Sequence, residues 1–149
     1  MKENSPIYII EEIWTYLSPF SAHQIEIWGE RFATVEHVYQ SKKFKAGKIR
    51  DEIKNTKSAY ACWQLNLKYK KDRSLLNPDF DKDKVMEELL RAKLAQHPDV
   101  LEILKLTGNR GLSKNVECDE YWGVGHDGSG LNKMGKMWMK IRENIKSNL

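Results

Sequence analysis

Helical periodicity constrains this chain more than any other feature. From Thr34 onward, apolar residues recur at helical spacing between capping residues and breakers. Thr34 is placed to cap the first helix, with Val35, Val38 and Tyr39 on one face and Glu36 in the first turn, where the helix dipole favours a carboxylate. Residues from about 48 to 70 read as one or two helices around Ile49, Ile53, Tyr60, Trp63 and Leu67. Asn77-Pro78-Asp79 is a break. Asp81 or Asp83 then caps an amphipathic helix carrying Val85, Met86, Leu89, Leu90 and Leu94. His97-Pro98 ends it and starts another, which stops at Thr107-Gly108-Asn109. A last helix begins near Asn132, with Met134, Trp138, Ile141 and Ile145 as its core stripe.

Strand signals precede Thr34. Residues 7–10 read as a short strand. Gln24-Ile25-Glu26-Ile27-Trp28 alternates polar and apolar, Trp28-Gly29-Glu30-Arg31 turns the chain, and Phe32 returns it as a small hairpin. The expected fold is a mainly helical α+β domain with a few short strands near the N-terminus. The 149 residues carry no internal repeat or linker, so residues 1–149 are expected to form a single domain. A chain of this size buries roughly 68–70% of its unfolded surface and needs no metal or disulfide to fold. The apolar run Ile7-Tyr8-Ile9-Ile10 is closed by Glu11-Glu12, too short for a membrane span or a signal peptide. A cytosolic location follows as the expectation. Cys62 and Cys118, without CxxC spacing, read as buried small hydrophobes rather than a bridge or a zinc pair.

The formal charge of +4 is unevenly spread. Arg31 to Arg73 holds 12 Lys/Arg against 4 Asp/Glu, and the remainder is net acidic. A basic middle segment suits an anionic partner, either a phosphate-bearing small molecule or a nucleic acid; the plainer reading is a solvated helix face.

Gly123-Val124-Gly125-His126-Asp127-Gly128 matches GxGxxG, but a dinucleotide fold needs a strand before it and a second strand beyond, and neither is legible. Four glycines at 123, 125, 128 and 130 leading into a helix still suit a loop whose amides approach a phosphate; a tortuous surface loop accounts for them equally well. Asp119 and Trp122 directly before this loop suit a nucleoside-like ligand, the ring stacking and the acid meeting sugar or base. Glu36, Gln40 and Lys43 share one helix face. A carboxylate, an amide and an amine so aligned can line a pocket, although from residue type alone a solvated face bridged by Gln40 is the simpler reading. The four histidines, 23, 37, 97 and 126, are scattered, and no zinc-site, P-loop or serine-hydrolase pattern is present, so no metal is implied.

Taken together, these segments resemble one family. Leu17-Ser18-Pro19-Phe20, Trp28-Gly29 and the run Thr34-Val35-Glu36-His37-Val38-Tyr39-Gln40-Ser41-Lys42-Lys43-Phe44 are similar to the opening of the YbiA-like, or NADAR, family. Val85-Met86 and Ala92-Lys93-Leu94-Ala95-Gln96-His97-Pro98 resemble its middle. Leu104-Lys105-Leu106-Thr107-Gly108 and the run from Asp119 to Gly135, followed by Met139 and Arg142, resemble its end. The blocks stand in family order from residue 17 to 142.

The resemblance implies a small α+β N-glycosidase. Some family members cleave a riboflavin-pathway ribosylaminopyrimidine phosphate into ribose 5-phosphate and a pyrimidine. Others remove ADP-ribose from guanine bases. Breaking a C1′–N bond builds positive charge on the sugar, which a carboxylate stabilises, while the departing base needs a proton or hydrogen bonds. Alternatively an amine attacks C1′ and passes through a Schiff base. The resemblance thus implies Glu36, Asp119 and Lys43 as catalytic groups, with Lys43 either the amine or a phosphate anchor. Trp122 is expected to wall the base. Gly123, Gly125, Gly128 and Asn132 are expected to shape the phosphate or ribose site, with Phe20 and Gln40 lining the pocket. No cofactor is implied. The partner is a phosphorylated or ADP-ribosylated nucleoside-like substrate, with modified DNA as a further form of it and no membrane. The basic segment leans toward the larger anion.

The chain departs from the family pattern in three places. Family members often carry an Asn near Phe20, an acid near Lys114, and Asp-Trp where this chain has Asp79-Phe80; these departures bear on substrate choice. Two other classes of function compete: a module that holds ADP-ribose or a nucleotide without cleaving it, and a nucleic-acid binder using the basic segment, whose affinity would fall steeply with salt.

Overall fold

Two X-Pro steps divide the chain. A computed structural model describes residues 5–147. It separates into a central unit, Pro19–His97, and a terminal unit formed by residues up to Ser18 with those from Pro98 onward. Each break falls just before a proline, which pushes the preceding residue off helical backbone: Ser18 has φ −79° and ψ 138°, His97 φ −129° and ψ 97°.

In chain order the elements are β1 (Ile7–Tyr8), a 3-10 helix (Glu12–Leu17), β2 (Ile25–Ile27), β3 (Glu30–Phe32), α1 (Val35–Lys43), α2 (Lys48–Asn55) and α3 (Ala59–Tyr69). A second 3-10 turn (Arg73–Leu75), α4 (Lys82–Gln96), α5 (Pro98–Leu106), β4 (Leu112–Ser113) and α6 (Lys133–Ser147) follow. The mainly helical α+β reading holds. No helix among the described residues is long and apolar enough to cross a membrane.

In the central unit, β2 and β3 pair antiparallel with Ile25 opposite Phe32. The turn is tighter than the sequence suggests, just Trp28 and Gly29, both at positive φ (51° and 78°), the hand that matches strand twist in two-residue hairpins. Thr34 caps α1 as expected, its hydroxyl oxygen accepting from the His37 amide. Residues 48–70 form two helices; Ser58 caps the second through the Ala61 amide. Asp81, not Asp83, caps α4. Phe44, Ile53 and Cys62 form a buried cluster with Ile49, Leu65, Tyr69, Leu75 and Leu76 around it. Tyr60, read as a core position, is instead 58% exposed, because the buried stripe of α3 runs through Cys62 and Asn66.

In the terminal unit, β1 pairs parallel with β4, Ile7 opposite Leu112. The strand read over 7–10 shortens to two residues, and β4 was not legible, since a two-residue strand leaves no period to detect. Met134, Trp138 and Ile141 of α6 are buried, and the Trp138 indole donates to the Leu17 carbonyl at 2.7 Å. Arg142, also buried, donates to Thr107 Oγ1 and to the Arg110 carbonyl, both at 2.9 Å. Both cysteines are free. Cys62 is buried as expected, but Cys118 is exposed on a loop, which corrects that half of the expectation.

Gly135 leaves no room for a side chain between α6 and β4. A Cβ there would run into the Leu112 carbonyl oxygen and reach 2.6 Å from Asn132 Nδ2. Alanine gains about 1 kcal/mol of helix propensity over glycine, whereas overpacking costs about 1–3 kcal/mol, and here the obstacle is backbone. Gly135→Ala is therefore expected to lower the melting temperature. A rise would mean that β4 yields without cost.

Candidate active site

Each unit carries its own group of candidate residues. In the central unit the group is built on α1, whose residues Val35 to Ser41 are all buried. The Glu36 amide donates to the Pro19 carbonyl at 3.1 Å, which ties the segment containing Phe20 to the start of the helix. Phe20 itself is 39% exposed. Glu36 and Gln40, 5% and 4% exposed, are joined by a 2.7 Å hydrogen bond from Gln40 Nε2 to Glu36 Oε1. The stripe is therefore buried, and the solvated-face reading does not hold. Because the carboxylate takes the amide N–H, Gln40 Oε1 points elsewhere, buried and without a hydrogen-bond partner.

Lys43 continues the stripe, half-buried at the end of α1. Burial pushes its pKa down, and the nearby ammonium groups of Lys70 and Lys82 push it further; the Glu36 charge opposes them weakly. Lys42, its neighbour in sequence, is instead paired with Glu30 at 3.4 Å and lies over the Trp28 ring. Glu36 also bears on Cys62: burial first, then this carboxylate, push the thiol up to about 12, so Cys62 is no nucleophile. His37 is structural, with Nε2 donating to the Thr56 carbonyl at 2.9 Å and Nδ1 bonded to the Thr34 hydroxyl at 2.8 Å.

In the terminal unit, Asp119, Trp122, Gly123, Gly125 and Asn132 are knit together. Asp119 Oδ1 accepts from the Trp122 and Tyr121 amides at 2.8 and 3.3 Å, and Oδ2 is paired with Lys114 at 2.6 Å. Burial pushes this carboxyl up, but the Lys114 ammonium and the amides of Trp122 and Gly123 outweigh it and hold the pKa below its ordinary value of 3.8. The Trp122 ring is half-buried and meets Tyr121 edge-on at 5.0 Å. Asn132 is a strut: its Oδ1 accepts from the Lys114 amide and its Nδ2 donates to the Leu112 carbonyl, both at 3.0 Å.

The glycine loop folds onto itself. The amide of Val124 donates to Lys114, that of Gly125 to Asp119, Gly130 to Val124, Leu131 to Glu120 and Asn132 to Gly123. The first amides of α6, Lys133 and Met134, go to the Tyr121 and Trp122 carbonyls at 3.1 and 3.0 Å. Those amides are spent within the loop and are not open to a phosphate. The glycines serve close packing instead. A Cβ at Gly123 would sit 2.8 Å from the Asp119 and Lys114 carbonyl oxygens, and one at Gly130 would sit 2.6 Å from the Gly123 oxygen. Gly128 alone lies apart, exposed at the loop tip with φ 80° and nothing within 4 Å of its Cβ direction.

With this geometry in hand, comparison with known proteins is informative. The NADAR domain family matches residues 5–146. This chain belongs to the NADAR family. The N-glycosidase YbiA of Escherichia coli strain K12 is 34% identical over 131 residues, covering 86% of this chain and 79% of that protein. An N-glycosidase of Nostoc punctiforme is 33% identical, covering 94% of this chain and 91% of that one. A riboflavin biosynthesis protein of Vibrio vulnificus is 28% identical over 94% of this chain but only 38% of its own length. The solution NMR structure of Escherichia coli YbiA superposes with a TM-score of 0.82 at 31% identity, covering 99% of this chain and 88% of that one.

Sequence reasoning passed over two residues of this NADAR chain's central unit. Lys93 is fully buried on α4 and donates to Ser21 Oγ, which in turn is hydrogen-bonded to His23 Nδ1 at 2.8 Å. Asn66 is 4% exposed on α3, and its Oδ1 has no partner. Both carried a signal. Lys93 stands three and four residues beyond Leu90 and Leu89, and Asn66 four beyond Cys62, so each is a polar residue on an apolar stripe.

The Lys114–Asp119 pair makes a direct prediction. Because the folded pKa of Asp119 lies below 3.8, its contribution to stability is present above the unfolded value and is lost as pH falls through the folded one. In Lys114→Met the burial effect loses its main opponent. The acid unfolding midpoint, followed by circular dichroism, is expected to move to higher pH. An unchanged midpoint would show that the loop amides alone hold the carboxylate.

Proposed function

We propose that this NADAR chain is an N-glycosidase that hydrolyses a ribose C1′–N bond, in the cytosol and without a cofactor. The chain is a hydrolase of N-glycosyl bonds, and its substrate is an ADP-ribosylated guanine, free or in DNA, or a phosphorylated ribosylaminopyrimidine of riboflavin synthesis. The observation that carries this reading is the buried Glu36–Gln40 pair continued along α1 by Lys43. A carboxylate held in a dry setting, with its partner amide already oriented, stabilises positive charge developing at C1′ without reorganising at the moment of reaction. Names of relatives support both the reaction and the riboflavin substrate. The Lys43 ammonium, on which the charges of Lys70 and Lys82 both act, favours a multiply charged anion such as a diphosphate.

In this reading Glu36 faces the anomeric carbon. Lys43 acts in one of two ways. As a neutral amine its Nζ attacks C1′ while the base departs with a proton; ring opening then gives an imine that water hydrolyses, returning the amine and the free sugar. As an ammonium it anchors phosphate. Within the terminal unit, Asp119, whose oxygens are engaged by Lys114 and two loop amides, holds a fixed negative charge and sets the position of the Trp122 ring, a surface on which a base can stack. Gly123, Gly125 and Asn132 shape that loop, and Gly128 at its tip is the member open to a phosphate. Phe20 lines the sugar side beside Glu36.

Incubation with each substrate, followed by chromatography for free base or free ADP-ribose, tests the reaction. Glu36→Gln and Lys43→Ala are each expected to lower the rate by about 10²–10³-fold or more while the unfolding curve stays normal. Asp119→Asn is expected to lower the rate through the loop as well, together with the melting temperature, since Lys114 loses its carboxylate partner. Full activity in all three would end the proposal, and ligand-induced stabilisation without turnover would leave a binding module.

The pH dependence separates the roles of Lys43. Its folded pKa lies below 10.5. If Lys43 is the nucleophile, the rate is expected to rise with pH through that folded value as the amine is freed. If it anchors phosphate, kcat/KM falls over the same window. A profile unchanged by Lys43→Arg excludes the nucleophile.

A further inference from the structure

Helix α3 turns a basic, ring-bearing face to solvent. Its buried residues are Ala59, Cys62 and Asn66. Tyr60, Gln64 and Lys68, four apart, stand exposed on the other side, with Trp63 and Leu67 half-buried beside them. The rings of Tyr60 and Trp63 lie 5.8 Å apart and only 30° from parallel. From Lys57 to Lys71 the chain carries lysines at 57, 68, 70 and 71 and no carboxylate. Among the described residues none of these four is in an ion pair, whereas Lys42 and Lys54 both pair with Glu30. Beside this face an open groove of about 530 Å³ runs between α2 and α3. Asn55, Thr56 and Gln64 bring hydrogen-bonding groups to it, and Lys68 a charge. Its acid, Glu52, is engaged, Oε2 accepting from the Tyr69 hydroxyl at 2.7 Å.

We propose that the outward face of α3, with the groove beside it, is a docking surface for single-stranded nucleic acid. Charge and rings together select this partner. A strand carries a phosphate at every nucleotide, and lysines free of carboxylates answer them. Each of its bases offers a π-face, which an exposed pair of nearly parallel rings receives. A duplex keeps those faces inside its own stack, and an acidic peptide matches the lysines but leaves the rings unanswered. Asn55 and Gln64 meet base edges in the groove, while Lys68 and Lys71 meet the backbone. The basic end of the face lies toward the candidate site: the Tyr69 ring, one residue before Lys70, meets the Phe44 ring, one residue after Lys43, at 6.3 Å. A strand along α3 therefore has one end near Lys43. That the strand is also substrate rests on the N-glycosidase reading with ADP-ribosylated DNA; that it binds here does not.

Fluorescence anisotropy tests this without turnover, using a labelled thymidine oligonucleotide of about 12 nucleotides and an abasic strand with the same number of phosphates. The wild-type protein is expected to bind the thymidine strand about tenfold more tightly than the abasic one, the order expected for one stacked base. Affinity for both is expected to fall with salt, and Lys71→Gln to lower the slope of log affinity against log salt by about 0.7. Tyr60→Ala is expected to erase the preference for bases, and Tyr60→Phe, which keeps the ring, to retain it. Because Tyr60 is exposed, neither is expected to lower the melting temperature. If Tyr60→Ala does, Gln64→Glu decides: it sets a carboxylate on the same face and is expected to weaken binding of both strands, and unchanged binding would overturn the proposal. So would equal affinity for the two strands in the wild type, as expected of an acidic-protein surface, a preference intact in a folded Tyr60→Ala, or affinity indifferent to salt. Cleavage of free ADP-ribosylated guanosine by a protein that binds neither strand would remove this surface and spare the N-glycosidase. Base-dependent binding lost in Tyr60→Ala, in a protein that cleaves nothing, would do the reverse.

Discussion

Every backbone and side-chain polar group on α1 has to be answered inside the protein, because the helix is buried from Val35 to Ser41. At its start the Glu36 amide goes to the Pro19 carbonyl and the His37 amide to the Thr34 hydroxyl. At its end Arg50 donates to the Ser41 and Phe44 carbonyls, while the Asn77 amide and side chain take those of Lys43 and Lys42. Apart from the cap Thr34, these partners come from three different parts of the central unit: the segment before the hairpin, α2, and the break before α4. The helix is thus a buried strut, and its surroundings are built to satisfy it. Gln40 Oε1 stands out against that background, since nothing meets it where nearly everything else is met.

The terminal unit follows the same logic with a loop in place of a helix. A run rich in glycine offers many amides and few side chains. Here most of those amides are turned inward, onto the carbonyls of residues 114 to 124. Asp119 closes the arrangement by taking two further amides and the Lys114 ammonium. A carboxylate so engaged cannot readily change its protonation during a reaction. It can hold the Trp122 ring in one place, and this is the role the geometry supports. Lys114 is the residue that makes this pairing possible.

The order of elements was legible because it rests on local signals. Thr34, Asp81 and Pro98 mark helix starts by chemistry that acts within one turn, and each stands where the sequence places it. The hairpin was legible from alternation, although not its two-residue turn, since Trp28 is an uncommon occupant of positive φ. What escaped was non-local. The two-residue strand β4 exists only through its pairing with β1. The sense of the Glu36 stripe was misjudged for the same reason: charge and amide argue for solvent, and only packing on neighbouring helices buries them. Lys93 and Asn66 were visible as polar residues on apolar stripes, but an amphipathic reading that counts only the apolar positions passes over them. The glycine loop is legible as a loop, while the direction of its amides depends on closures between residues as far as eleven apart, as in Leu131 to Glu120.

Burial also sorts amines that look alike in sequence. Lys42 and Lys43 are adjacent, yet about 100° apart around the helix. The first reaches Glu30 and the face of Trp28; the second faces burial and two further ammonium groups. Lys93 is buried more deeply than either and is held by the Ser21 hydroxyl, which locks it to the segment after Phe20. A paired lysine has its charge stabilised, and one tied to a hydroxyl deep in the core has little room to move. Lys43 lies at the helix end, only half-buried, with its ammonium form disfavoured and Glu36 on the same stripe. In the proposed reaction Lys43 is thus the amine that can serve, as nucleophile or as phosphate anchor, while the structural demands of a buried core fall on Lys93.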